Sequence, residues 1–249
     1  VDVTSPLKAG PYTIRDLHPA GRPLTVIEVI LRSSNVGAGR LALALGSDRQ
    51  RAMLERFGLT APLDTEAGQT AAPKLPQSWG RAANITVAYG HGIAVAPLQF
   101  AAAAAALVNG GGRVKPTFLA QTDGGPSAGW QQRVITPETS AAIREMLRLN
   151  VTSKAGSGSR ADVAGYEVGG KTGTADWAHD GSYDGKSVIN SFLAVFPSRQ
   201  PRYLVLITLF DPKPRAGTGP RTAGLNAAPT AGSVIARIAP LLGVLPGDT

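Results

Sequence analysis

The residues best suited to chemistry in this chain lie together in Gly165-Tyr-Glu-Val-Gly-Gly170-Lys171-Thr172-Gly173-Thr174. Two readings compete for them. In the first, Gly165, Gly170, Lys171 and Thr172 satisfy the pattern G-x-x-x-x-G-K-[ST] in full. That pattern cradles nucleotide phosphates with backbone amides, a lysine and a hydroxyl. The apolar run Tyr203 to Asp211 then resembles the strand whose terminal Asp holds Mg²⁺. In the second, Lys171 to Thr174 lie on an exposed edge strand. The lysine supplies positive potential, Gly173 lets a ligand approach the backbone, and the threonine hydroxyls with a backbone N–H face a carboxylate or a developing oxyanion.

The surrounding elements select the second reading. A phosphate loop needs a buried strand before it and a helix beginning at its Lys-Thr, because the helix N-terminus binds the phosphates. Upstream stands Gly156-Ser-Gly-Ser-Arg-Ala-Asp-Val-Ala, which makes no core strand. Downstream, Gly173-Thr-Ala-Asp-Trp-Ala-His-Asp-Gly181 will not propagate a helix. Roughly 80 residues after the motif are few for a nucleotide-binding sheet with its crossovers.

Elsewhere the pattern predicts helices first and strands later. Residues 1–24 read as loop with a short strand near Tyr12 to Ile14. Thr25-Val-Ile-Glu28 is a capping box that opens a helix with Val26, Ile27, Val29 and Ile30 on its buried face. Ser33-Ser34-Asn35 ends that helix. A second helix runs from Val36 to Leu45 and stops at Gly46, and Ser47-Asp-Arg-Gln50 reads as a further capping box for a helix closed by Gly58. Residues 59–92 lack a period and read as a cleft-lining loop. Pro97 opens a helix ending at Asn109-Gly110, and Thr136-Pro-Glu opens one through Leu149. Tyr166 to Thr174, Val188 to Phe196 and Tyr203 to Phe210 read as strands, the last two as an antiparallel hairpin, with a final helix from Pro229 to Leu242. This order predicts an α+β fold, an antiparallel sheet flanked by helices. No linker divides residues 1–249, which read as one domain.

The chain is 43% hydrophobic, has no cysteine and carries a net charge of +8. It can bury a sizeable core, and thiolate metal sites, disulfides and a cysteine nucleophile are excluded. The basic balance suits anionic partners. Nucleic acid is not among them, because the arginines are scattered and only 6% of residues are aromatic. No stretch reads as a membrane span.

A K-T-G strand is one of three elements of serine acyl-transferases of the penicillin-binding and β-lactamase type, and an S-x-N tripeptide is another. Ser33-Ser34-Asn35 supplies the second. The flanking words Tyr12-Thr-Ile-Arg-Asp-Leu-His-Pro19, Leu24-Thr-Val-Ile-Glu-Val, Ser33-Ser-Asn-Val-Gly37, Tyr89-Gly-His-Gly-Ile-Ala-Val-Ala-Pro-Leu-Gln99, Asn109-Gly-Gly, Gly169-Gly-Lys-Thr-Gly-Thr-Ala175 and Ala239-Pro-Leu-Leu-Gly243 resemble the class B penicillin-binding proteins. They look most like the septal, cell-division transpeptidases. The resemblance covers nearly the whole chain, in the family's order.

The resemblance implies the penicillin-binding protein/β-lactamase-like transpeptidase fold and D,D-transpeptidation of peptidoglycan stem peptides ending in D-Ala-D-Ala, with β-lactams as mimics of the donor. Ser33 would relay a proton between lysine and leaving group, and Asn35 would orient the substrate amide. Lys171 would polarise Ser33 and attract the terminal carboxylate, which Thr172 and Thr174 would bind, with Gly173 between them. The Thr174 amide would form half of an oxyanion hole. The Ser33–Asn35 turn and the Lys171–Thr174 strand are expected to face each other across one groove. No cofactor and no metal is implied. A septal glycosyltransferase and other division proteins would be partners. The place of action would be the periplasmic face of the inner membrane, held by an upstream helix outside this chain.

One element of the family pattern is missing. The nucleophile should lie in S-x-x-K on a helix well before S-x-N, yet only 32 residues precede Ser33. The one literal match, Ser5-Pro-Leu-Lys8, sits among prolines and Gly10, with no core helix to carry it. The expectation is a transpeptidase domain lacking its N-terminal part, with no nucleophile in residues 1–249. Other classes compatible with the sequence are a D,D-carboxypeptidase or β-lactamase of the same superfamily, and a non-catalytic module binding stem peptide or a division partner. His91 reads as a local turn contact, and His179 with Asp176 and Asp180 as a solvated loop. Trp177 and Tyr183 are expected to line the cleft beside the K-T-G strand.

Overall fold

The structure, a computed structural model, describes residues 1–120, 130–179, 182–213 and 222–247. The chain divides into two compact units, Val1–Ser140 and Ala141–Thr249.

In the first unit, β1 (Leu7–Ala9) and β2 (Tyr12–Ile14) form an antiparallel hairpin around Gly10, whose φ of +61° suits the turn. β2 lies where the sequence places it. β1 was read as loop, because a three-residue strand carries no period. α1 (Val26–Leu31) begins with the expected capping box: Thr25 Oγ1 accepts the Glu28 amide at 3.2 Å, and the Glu28 carboxylate accepts the Thr25 amide at 2.9 Å. Its buried face differs from the expectation. Val29 and Leu31 are buried, whereas Val26 and Ile27 are 49% and 43% exposed. A helix of six residues meets the core with its last turn alone. Val3, Leu7, Ala9, Leu24, Val29, Val36 and Ile85 make that core.

α2 (Asn35–Leu45) ends at Gly46, as predicted. α3 (Ser47–Arg56) follows at once, but its predicted capping box does not form. Gly46 is the N-cap, and the Gln50 side chain is drawn inward instead: it donates to the Asn84 carbonyl at 3.0 Å and accepts from Trp79 Nε1 and Asn84 Nδ2. Residues 59–92, read as loop, contain the hairpin of β3 (Asp64–Thr65) and β4 (Gly68–Gln69) and the helix α4 (Arg81–Val87). α5 (Pro97–Val108) has Pro97 in its first turn and caps at Asn109. Gln99 fastens it by donating to the Gly58 and Ala61 carbonyls at 2.7 and 2.6 Å. β5 (Gly112–Val114) pairs with β6 (Trp130–Arg133). α6 (Pro137–Thr152) carries the chain across the division between the units.

The second unit is built on an antiparallel sheet of β7 (Gly169–His179), β8 (Ser182–Phe196) and β9 (Tyr203–Phe210), in the order β7-β8-β9. β8 is central, so Phe192, Ala194, Val195 and Phe196 are essentially inaccessible. α7 (Ala227–Ile238) packs on the sheet through the small residues Ala227, Ala228 and Ala231 and the larger Ile235. Burial of each large core side chain contributes about 2–3 kcal/mol. Helices with antiparallel sheets give the expected α+β fold, and the hairpin of the last two strands is as predicted. β7 starts three residues later than expected, because Gly165 and Glu167 adopt φ of +81° and +45° and turn the chain before it. It then continues through residues expected to form a loop.

Candidate active site

In the first unit, Ser33 sits between α1 and α2. The expectation put Ser33-Ser34-Asn35 at a helix end; the tripeptide also begins the next helix, with Ser34 as N-cap and Asn35 as the first helical residue. Ser33 itself has φ +54°, a left-handed conformation that costs a non-glycine residue about 1 kcal/mol or more. Three sets of contacts hold it there. The Ser33 and Ser34 amides donate to Ile30 and Val29 carbonyls at 3.1 and 2.9 Å. Ser34 Oγ accepts the Gly37 amide at 2.9 Å. The Asp16 carboxylate accepts the Ser34 hydroxyl at 2.6 Å and the Val36 amide at 2.9 Å. Gly37 packs so closely that a Cβ there would lie 2.6 Å from Val29 Cγ2. The turn thus presents Ser33 at the surface, with Asn35 half-buried beside it.

In the second unit, Lys171, Thr172, Gly173 and Thr174 lie in the first half of β7. Lys171 is mid-strand and begins no helix, so the phosphate-loop reading lacks the helix N-terminus it requires. Among the described residues β7 is an edge of its sheet, as expected. Strand alternation places Gly170, Thr172 and Thr174 on one face and Lys171 with Gly173 on the other. A Cβ at Gly170 would come 2.5 Å from the Leu193 carbonyl oxygen and 2.5 Å from the Phe192 ring, whereas one at Gly173 would meet nothing within 4 Å.

Both threonine hydroxyls are oriented. Thr172 Oγ1 is 2.5 Å from Ser157 Oγ. Thr174 Oγ1 accepts the Ala223 amide at 3.1 Å, from the 3₁₀ turn Ala223–Leu225, so its own proton can go to another acceptor. The Lys171 ammonium donates to the Thr172 carbonyl at 3.0 Å, and burial pushes its pKa down from the usual 10.5 to about 8.

Behind β7, Asn150 of α6 is fully buried. Its Nδ2 donates to the Gly170 carbonyl at 2.8 Å, and its Oδ1 accepts the Ser157 amide at 3.1 Å. Gly156, whose Cβ would stand 2.0 Å from the Asn150 carbonyl oxygen, lets the Gly156–Gly158 loop wrap the end of α6. Asp16, Asn150 and Ser157 escaped the sequence reading. Asp16 lies within Tyr12-Thr-Ile-Arg-Asp-Leu-His-Pro19 and Ser157 within a Gly-Ser-Gly triplet, but residue type alone does not state which distant group each touches.

The remaining candidates make local contacts. Ser5 stands just before β1 and Lys8 lies within it, donating to Thr13 Oγ1 at 2.7 Å, so no helical turn brings the pair together. His91 stacks on Tyr89 with ring centroids 6.2 Å apart and its amide donates to Thr86 O, a local turn contact as expected. Trp177 meets the Phe210 ring edge-on at 5.5 Å. Asp180 and the side chains of His179 and Tyr183 lie outside the described residues.

Comparison with known proteins bears directly on these two clusters. Residues 3–235 match the family described as the penicillin binding protein transpeptidase domain. A probable peptidoglycan D,D-transpeptidase FtsI from Caulobacter vibrioides is 39% identical over 254 residues, covering 98% of this chain and 42% of that protein. The transpeptidase domain of Burkholderia pseudomallei penicillin-binding protein 3, without ligand, superposes with a TM-score of 0.84 at 29% identity, covering 98% of this chain and 72% of that one. Penicillin-binding protein 3 from Mycobacterium tuberculosis in complex with ampicillin gives a TM-score of 0.82 at 27% identity, covering 100% and 58%. The chain thus spans less than half the length of the curated relative. A match that takes in both the S-x-N turn and the K-T-G strand, at this identity and coverage, places the chain in the penicillin-binding protein transpeptidase family.

Proposed function

We propose that this chain provides the S-x-N and K-T-G elements of a peptidoglycan D,D-transpeptidase of septal cell-wall synthesis, acting at the periplasmic face of the inner membrane. The observation that carries the proposal is the edge strand β7. It offers a lysine, a glycine open to ligand approach and two oriented hydroxyls in four consecutive residues. That set suits a peptide ending in a free carboxylate.

In this reading a serine attacks the carbonyl between the two D-alanines of the donor stem. The Thr174 amide stabilises the oxyanion, and Thr172 and Thr174 hold the terminal carboxylate under the potential of Lys171. Asn35 orients the donor amide. Ser33 passes a proton to the departing D-alanine, and an amine of a neighbouring stem then resolves the acyl-enzyme. β-Lactams acylate the same serine. In this reading that serine lies outside residues 1–249, because Ser5 and Lys8, before and within β1, lack the helical spacing a lysine base needs. A septal glycosyltransferase and other division proteins are the proposed partners.

A fluorescent penicillin tests this. The full-length protein that carries the chain should be labelled, the Lys171→Met variant should label far more slowly, and residues 1–249 alone should stay unlabelled. A full-length protein that takes up no label sinks the reading, and a labelled 1–249 refutes the placement of the nucleophile.

A further inference from the structure

The loop Gly156–Gly158 has no role in the function so far described, yet several contacts fix it beside the K-T-G strand. Asn150 is locked in one amide orientation. The Gly170 carbonyl can only accept and the Ser157 amide can only donate, so Nδ2 must face the first and Oδ1 the second. The Gly158 amide closes the loop onto the Asn150 carbonyl at 3.1 Å. On its other side the loop meets the turn that holds Thr174: a Cβ at Gly224 would lie 2.8 Å from the Ser157 carbonyl oxygen. Ser157 is thereby fixed in place.

Its hydroxyl has two neighbours of unequal quality. Asn150 Oδ1, already engaged by the Ser157 amide, is 3.4 Å away, whereas Thr172 Oγ1 is at 2.5 Å. Either hydroxyl can donate across the shorter contact, but a carboxylate bound at Thr172 can only accept, which takes the Thr172 proton and leaves Ser157 as the donor. A hydroxyl that accepts such a bond is a stronger donor in turn, and its own proton is directed elsewhere.

We propose that Ser157 is a positioning residue: it donates to Thr172 Oγ1 and so commits the Thr172 proton to the terminal carboxylate of the bound donor, with Asn150 holding Ser157 in register. The inference rests on the transpeptidase reading and deepens it. The device parallels that at Thr174, whose acceptor site is filled by the Ala223 amide. Each hydroxyl of the pair is charged from behind by a fixed donor and points its proton at the ligand.

The test uses the full-length protein with ampicillin and with its methyl ester, which keeps the reactive ring but carries no carboxylate charge. Ser157→Ala, and Ser157→Cys, which retains the shape but is a weak donor, should raise the half-saturating concentration of ampicillin by about tenfold, the worth of one good hydrogen bond. The limiting acylation rate should hold, and the methyl ester should react as with the unaltered protein. Equal slowing on both compounds would indicate a packing role only and overturn the inference, as would no change on either. If the unaltered protein is acylated by neither compound, the transpeptidase reading falls and takes the inference with it.

Discussion

Asp16 grips Ser34 across 18 residues of sequence: its Oδ2 accepts the Ser34 hydroxyl at 2.6 Å while Oδ1 accepts the Val36 amide at 2.9 Å. One carboxylate thus satisfies the N-cap side chain and an orphan amide of α2, at the helix end where a negative charge is favoured. Asp16→Ala strands both donors, and Ser34 is only 4% exposed. The expected loss is about 1–3 kcal/mol of stability, read from denaturant unfolding, together with slower penicillin acylation as Ser33 relaxes from its left-handed conformation. Asp16→Asn, which can still accept from Val36, should lose less. A change in Asp16→Ala too small to measure would show that water replaces the carboxylate at no cost.

Lys171 sets a pH dependence whose direction follows from its burial. Its pKa in the native state is about 8, against 10.5 ordinarily. Between those values the unfolded chain holds a proton that the native state has lost, so stability rises with pH through that window. Below it the charged lysine is held against its burial, and the penalty is complete. Lys171→Met should therefore be more stable than the unaltered protein at pH 7, by about 1–3 kcal/mol, with the gap closing towards pH 10. In the proposed function capture of a carboxylate-bearing donor would follow the ammonium, so the half-saturating concentration of ampicillin should rise as pH passes about 8. A gap that stays constant from pH 7 to pH 10 would contradict the burial.

Some of this was legible in the sequence and some was not, for reasons that differ by element. The capping box at Thr25, the Pro97 start and Asn109 stop of α5, and the apolar runs of β8 and β9 are local signals that tertiary packing left intact. α4 was hidden because its Ile85-Thr86-Val87 is a β-branched run with low helix preference, in a helix of seven residues. The capping box at Ser47 failed because burial gave Gln50 better partners. The edge-strand reading of Lys171 to Thr174 was reachable, since the flanks forbid a helix. The supports of the site were not: Asp16 to Ser34 and Ser157 to Thr172 are long-range contacts, and residue type alone does not name a partner.

The two glycines of the strand should separate packing from ligand access. Gly170→Ala forces a methyl into the Leu193 carbonyl and the Phe192 ring, both 2.5 Å away, and should destabilise the protein by about 1–3 kcal/mol. Gly173→Ala meets nothing within 4 Å, so its stability should stay within about 0.5 kcal/mol. Its methyl nonetheless fills open space beside the strand along which the proposed ligand approaches, so acylation should slow. Normal acylation in Gly173→Ala would mean that ligands do not approach the strand there.

Asn150 gives the sharpest contrast between isosteres. Asn150→Ala leaves the Gly170 carbonyl and the Ser157 amide without their partner in a buried setting, for about 2–4 kcal/mol of lost stability. Asn150→Asp has almost the same shape and can still accept the Ser157 amide. Its second oxygen, however, faces the Gly170 carbonyl with no proton to offer, and the side chain is fully buried. An ionised carboxylate there meets a repelling dipole, so Asn150→Asp should be at least as destabilised as Asn150→Ala at pH 8 and should recover stability as pH falls and the new acid takes up a proton. Thermal melts across pH 5 to pH 8 check the sign. Stability that falls on acidification would mean that the Gly170 carbonyl does not face this side chain, and the clamp on β7 would have to lie elsewhere.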